Sequence, residues 1–140
     1  MAQFVVHGLE ELYEAIAKAQ KIPESVTRSI LEKMGRVLEF WVQKMALQKK
    51  IWDTGEVVRS ILLKKPEVGP DGGKAVVTFR GSRTRGKTTT RNAAIAFVNE
   101  YGKKGQSARP FVKEASEKAG AEAEAAGAAE LDRWLTKTGL

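Results

Sequence analysis

The fold is decided by residues 92–111, which read N-A-A-I-A-F-V-N-E-Y-G-K-K-G-Q-S-A-R-P-F. An apolar run leads into an acid-aromatic-glycine triplet at 100–102, and a basic turn with a glycine joint follows at 103–105. Proline at a first helical position has its φ already set and needs no partner for its nitrogen, so Pro110 predicts the beginning of a helix. Phe111 directly after it can anchor that helix in a core. The stretch therefore predicts a structural corner carrying a basic, flexible turn, and nothing in it resembles a catalytic centre.

A second segment, residues 54–61 (T-G-E-V-V-R-S-I), comes some forty residues before this corner. The two segments in this order, with a long helical pattern on each side, resemble the tail-completion proteins of tailed phages and prophages, also called head–tail joining or neck proteins. The sequence departs from the family pattern at Asn99 and in a long basic insert at 81–91. The resemblance covers residues 22–134, and its motif positions are Thr54, Gly55, Ser60, Ile61, Phe97, Glu100, Tyr101, Gly102, Arg109, Pro110 and Phe111.

The resemblance implies a structural protein and not an enzyme. Proteins of this family form rings, commonly sixfold, between the tail tube and the portal-side connector of the head, and DNA passes through the lumen. The implied partners are further copies of the chain in a hexameric ring, neighbouring tail-terminator, tail-tube or head-connector proteins, and duplex DNA in the lumen. The implied location is the tail end of a virion or tail-like particle, after synthesis in the bacterial cytoplasm. Tail completion, terminator and stopper roles all remain open.

Composition excludes most enzyme classes. The chain has 140 residues, enough for one domain with a real core, and its 42% apolar and 29% charged residues are typical of soluble globular proteins. It has no cysteine and a single histidine, His7, so the usual metal sites and nucleophile–base pairs cannot be assembled. We therefore expect no catalytic residue, no cofactor and no metal. We also expect no membrane partner, because no apolar run is long enough to span one and residues 1–8 lack a signal pattern.

The positive charge is concentrated in one part of the chain. Residues 80–113 carry nine basic residues and one acid, Glu100, which gives them +8 of the total formal charge of +7 and leaves −1 for the rest. Charge of one sign in one place predicts a contact surface for DNA phosphates or for an acidic protein, although most charged runs are simply solvated. The candidate contact residues for a partner or DNA are Arg80, Arg83, Arg85, Lys87, Arg91, Lys103 and Lys104.

Hydrophobic periodicity and turn residues predict an α+β fold, with three helices, two of them long, packed on a small antiparallel β-sheet. We expect one domain over 1–140. It comprises a helical part at 8–50, a β-hairpin region at 54–80, a basic loop at 81–92, the corner at 94–109 and a C-terminal helix at 110–137. The loop is expected to be mobile over 81–91. Residues 94–101 fit a helix and a strand equally well, so both assignments stay open.

Three further patterns give specific expectations. Glu100 beside Arg109 predicts either a structural ion pair or a cap that fixes the corner around Gly102. Trp41, Trp52 and Trp134 are expected to pack in the core, with Trp134 also a candidate interface anchor. The alanine-rich middle of the last helix, 119–129, has a side small enough to pack closely against a neighbour, but a solvated side is the expectation for an isolated monomer.

Residues 81–88 match the phosphate-binding P-loop pattern G-x-x-x-x-G-K-[ST] and follow a predicted strand. A P-loop needs a parallel sheet with alternating helices, and this chain offers too few strands for one. No later apolar strand ends in an aspartate that could hold magnesium, and two arginines occupy the interior of the loop. We therefore expect no nucleotide site. The alternative to a neck protein is a small basic protein that binds DNA without sequence preference.

Overall fold

The computed structural model describes residues 4–5, 22–51, 55–69 and 72–138. Its first long element is helix α1, Glu24–Gln48. Buried residues recur along it with helical spacing, among them Ile30, Met34, Leu38 and Val42, which gives the helix one broad apolar face. This helix lies within the part predicted to be helical, 8–50. Residues 8–21 of that part, together with His7, Trp52 and Thr54, lie outside the described residues.

The second long helix, α4, spans Phe111–Lys137 and packs against α1 as the main contact of the fold. The two helices are antiparallel, because side-chain hydrogen bonds pair Ser29 with Glu130, Trp41 with Glu122 and Lys49 with Glu114. Pro110 occupies the position just before the first helical residue, in agreement with the predicted beginning of this helix.

The alanine-rich part of α4 is buried against α1 along one side, so the expectation of a solvated side was wrong. The buried positions follow one another every four residues, which places them on one face: Ala115, Ala119, Ala123, Gly127 and Leu131. At Gly127 the approach is so close that an added Cβ would lie 2.8 Å from Sδ of Met34. Small side chains here allow two helices to pack tightly, and hydrophobic burial outweighs the cost of glycine in a helix.

Strands β1 (Phe4–Val5), β2 (Ile61–Leu63) and β5 (Val76–Phe79) form a three-stranded antiparallel sheet in the order β1-β5-β2. Ile61 pairs with Phe79 and Leu63 with Val77, as expected for the predicted hairpin. The connection between β2 and β5 includes a small ladder of β3 (Glu67–Gly69) and β4 (Gly72–Lys74). Thus the α+β class is confirmed, with the sheet lying beside α1.

Residues 81–91 form a second hairpin, so the prediction of a loop was wrong. Strands β6 (Ser82–Arg85) and β7 (Thr88–Arg91) are antiparallel. Ser82 pairs with Arg91 at the open end, and Arg85 pairs with Thr88 next to the turn. Threonine is β-branched and favours extended backbone, and Gly86 has a φ of +61° at the first position of the two-residue turn. Both faces of this hairpin are largely exposed, so it lacks the apolar alternation by which strands are recognised.

Two shorter helices complete the corner. Helix α2 spans Glu56–Arg59, and α3 spans Asn92–Tyr101, which decides the open assignment in favour of a helix. The buried residues of α3 include Ala93, Ala96, Asn99 and Glu100. Among the described helices, none combines the length and the apolar character that crossing a membrane would require.

Candidate functional site: a basic cleft beside the hairpin

The two segments that carry the sequence resemblance meet in the fold. Helix α2, from the first segment, packs against α3, from the second. Ser60 and Ile61 follow α2 directly and are buried, with the Ser60 hydroxyl donating to the Val57 carbonyl at 2.6 Å. Phe111 is completely buried and its ring meets that of Phe79 edge to face, with centroids 5.9 Å apart. Most described motif residues therefore belong to one structural unit.

Phe97 and Tyr101 are the exceptions within this unit. The sequence predicted both in the folded framework, but they are 52% and 63% exposed. They lie four residues apart on α3, and their rings are in contact at a centroid distance of 4.7 Å. They form an exposed aromatic pair on the surface of the corner.

Arg109 joins the corner to the end of α1. Its guanidinium donates to the backbone carbonyls of Lys49 and Lys50 at 3.2 and 3.3 Å, and to Oδ1 of Asn99 at 2.5 Å. Its backbone nitrogen also donates to the Asn99 carbonyl at 2.6 Å. Asn99 thus holds the arginine in place, and its own amide nitrogen donates to the Ile95 carbonyl at 2.9 Å.

Glu100 is a helix cap. Its two carboxylate oxygens accept hydrogen bonds from the backbone nitrogens of Val112 and Lys113, at 2.8 and 2.9 Å, in the first turn of α4. A carboxylate at a helix N-terminus satisfies free amides and faces the positive end of the helix dipole. Of the two predicted alternatives, the cap is therefore confirmed. No ion pair joins Glu100 to Arg109 in the described part of the chain.

The predicted contact residues do not form one patch. Alternation along the paired strands places Arg83 and Arg85 on one face of the hairpin and Arg91 on the other, while Lys87 lies at the turn. Arg80 precedes the hairpin and is exposed. Lys103 and Lys104 belong to the separate turn after α3, in which the backbones of Lys103 and Gln106 pair. The basic surface therefore divides around the hairpin.

A cleft of about 450 Å³ lies on the Arg83 side of the hairpin. Its cations come from four places in the chain, namely Lys50, Arg83, Lys103 and Arg109, and the amides of Asn99 and Gln106 lie between them. The remaining lining residues are aliphatic or threonine: Ile51, Val57, Thr90, Ala94, Ile95 and Val98. Sequence reasoning missed Lys50, because only the fold brings the end of α1 next to the basic stretch.

A second cleft of about 350 Å³ lies on the Arg91 side. It is lined by Lys64, Arg80 and Arg91, and by Thr78, whose buried hydroxyl has no hydrogen-bond partner among the described residues. Both clefts are lined by cations, so the basic residues of the hairpin region lie on two separate surfaces.

The P-loop pattern lies in the β6–β7 hairpin. Lys87 is exposed at the tip of the antiparallel turn, and strand β7 follows it, whereas a phosphate-binding loop must lead into a helix. No cluster of three or more His, Cys, Asp or Glu able to hold a metal ion occurs among the residues the structure describes.

Comparison of the chain with protein-family models, with characterised proteins and with solved structures found no match.

Proposed function

We propose that this protein is a structural component of a phage or prophage tail neck, which completes the tail and joins it to the head connector as part of a ring around the DNA channel. The observation that carries the proposal is the meeting of the two resemblance segments, through contact between α2 and α3. The two segments are separated in sequence but form one structural unit, which is why we treat them as a single motif. The unit is a hydrogen-bonded corner, to which the basic hairpin is attached.

The surface supports assembly with other subunits. Among the residues that the structure describes, four large apolar side chains are more than half exposed, namely Phe40, Leu47, Phe97 and Tyr101. Exposed aromatic side chains are typical anchors of protein–protein contacts. In the proposed ring, the Phe97–Tyr101 pair contacts a neighbouring subunit, and the cations of the hairpin face either an adjoining protein or the DNA in the lumen. The protein acts as a joint and catalyses no reaction.

The experiment that tests this proposal is electron microscopy of particles from a producer strain that lacks the gene. Filled heads separate from unjoined tails, or tails with aberrant ends, are the expected result. A plasmid carrying the intact gene should restore joined particles, which excludes an effect on neighbouring genes. Normal joined particles in the deletion strain would refute the neck role.

The second candidate is a small basic protein that binds duplex DNA without a ring. The observation favouring it is the number of exposed cations on the hairpin and on the turn after α3. Such a protein binds duplex DNA as a purified monomer, and its affinity decreases steeply as salt increases, because phosphate contacts release counterions. A neck protein binds DNA weakly until it is assembled. Salt-dependent titration of monomer with duplex DNA distinguishes the two.

A further inference from the structure

The cleft beside Arg83 combines cations with an aliphatic floor. Lys50 and Lys103 are exposed at its rim, and Arg109 is half-buried within it. None of the described lining residues carries a carboxylate. Two acids of the corner have other partners, since Glu100 caps α4 and Glu114 pairs with Lys49 at 2.8 Å. The described lining therefore carries four cations and no carboxylate.

Arg109 is fixed in the cleft without being neutralised. Its hydrogen-bond acceptors are the carbonyl oxygens of Lys49 and Lys50 and the amide oxygen of Asn99, all of them uncharged. A guanidinium has five N–H donors, so a group held by these three acceptors can still donate to an incoming anion. Because the side chain is already ordered, binding would cost little conformational entropy.

The aliphatic floor restricts the ligand further. Ile51 and Val57 are buried, and Ile95 and Val98 are half-buried. Binding sites for small molecules and side chains are commonly 300–1,000 Å³ and mainly apolar, with a few converging polar groups. A ligand that fits must present a carboxylate to the rim and an apolar body to the floor. A DNA backbone offers phosphates without an aliphatic body, and the described lining residues include no aromatic ring on which a base could stack.

We propose that this cleft binds an acidic segment of a partner protein in which a glutamate or aspartate lies next to a large apolar residue. The acidic side chain contacts Lys50, Lys103 and Arg109, and the apolar side chain fills the space above Ile51 and Val57. The inference rests on the proposed neck function, because it names the chemistry of one protein partner in that assembly. The purified protein can be tested for it without any particle.

The test is calorimetric titration of the full chain with a short blocked peptide that alternates glutamate and leucine. Binding is expected, and it should be abolished when glutamine replaces glutamate or serine replaces leucine. Two exposed positions are changed together, Lys50→Gly and Lys103→Gln. Glycine accepts the positive φ of +58° at position 50, so the variant is expected to fold. Removing two exposed charges from the rim should weaken peptide binding about tenfold.

A matched control and a blocking variant make the test decisive. Lys65→Gln combined with Lys118→Gln removes two exposed charges that do not line the cleft, so the affinity should equal that of the unchanged protein. Ala94→Glu places an acid on an exposed lining position and should abolish binding. Failure of the peptide to bind, or equal binding by the cleft variants, overturns the inference. The inference is also overturned if citrate binds as tightly as the peptide, or if the cleft variants lose affinity only for duplex DNA. None of these results changes the outcome of the gene-deletion experiment.

Discussion

The carboxylate of Glu100 lies 2.8 Å from the backbone nitrogen of Val112, so the last turn of α3 caps the first turn of α4. Glu100 is only 5% exposed, and its second oxygen accepts from Lys113. Arg109 lies between the two helices in sequence and connects the same corner to α1. The orientation of the longest helix is therefore fixed by polar contacts at its beginning as well as by its buried face.

Glu100→Ala should destabilise the protein by about 2–3 kcal/mol, because it leaves two backbone N–H groups of α4 without their charged acceptor. Urea unfolding monitored by circular dichroism measures the effect. Glu117→Ala serves as the control, since Glu117 is an exposed residue of the same helix and its removal should cost almost nothing. Equal unfolding free energies for the two variants would contradict the capping role.

Arg109→Lys should destabilise the protein nearly as much as Arg109→Ala, by about 1–3 kcal/mol in each case. The guanidinium is planar and reaches carbonyls of two residues and the Asn99 amide at once, whereas a lysine ammonium is a compact charge on a flexible stem. Thermal unfolding of both variants checks the expectation. If lysine restores the stability of the unchanged protein, the charge of Arg109 matters and its fork geometry does not.

The sequence predicted the elements with strong patterns and missed those that depend on tertiary contacts. The long helices were predicted from their broad apolar stripe and from Pro110, and the cap at Glu100 was one of two stated alternatives. The β6–β7 hairpin was missed because its two faces are both polar, which removes the alternation signal. Helix α3 stayed undecided because its inner face is made of alanines and polar residues, whose burial only the packed fold reveals.

The basic cleft could not be predicted, for a related reason. Charge counting found Arg83, Lys103 and Arg109 but gave no means of deciding which cations converge. Lys50 joins them from outside the basic stretch, through the contact of Arg109 with the end of α1. A surface assembled from four separate parts of the chain has no signature in local sequence.

Two glycines of α4 should respond oppositely to alanine. Gly120 is exposed with no atom within 4 Å of the position where a Cβ would lie, so Gly120→Ala should stabilise the protein by about 1 kcal/mol through helix propensity alone. At Gly127 the new methyl would lie 2.8 Å from Sδ and 3.0 Å from Cγ of Met34, which is itself buried. Overpacking should cancel or exceed the propensity gain there.

Urea unfolding of the two variants under the same conditions measures the difference between these sites. The clash is relieved in the double variant Gly127→Ala with Met34→Ala. Relative to the unchanged protein, this double variant should be destabilised less than the single variant Met34→Ala. Equal stabilisation by alanine at both glycines would show that α1 and α4 do not approach as closely as described.

Reversing the hairpin charges should leave the fold intact and impair assembly. The triple change Arg83→Glu, Arg85→Glu and Lys87→Glu lowers the formal net charge from +7 to +1 on side chains that are exposed or half-buried. A matched control reverses Lys33, Lys65 and Lys118, which are exposed elsewhere and give the same net charge. We expect similar circular dichroism for both, and fewer joined, DNA-filled particles only for the hairpin variant.

If the hairpin binds DNA, the slope of log affinity against log salt should decrease by about one for each phosphate that is no longer neutralised. Unchanged particle yield from the hairpin variant would exclude a role for these three residues.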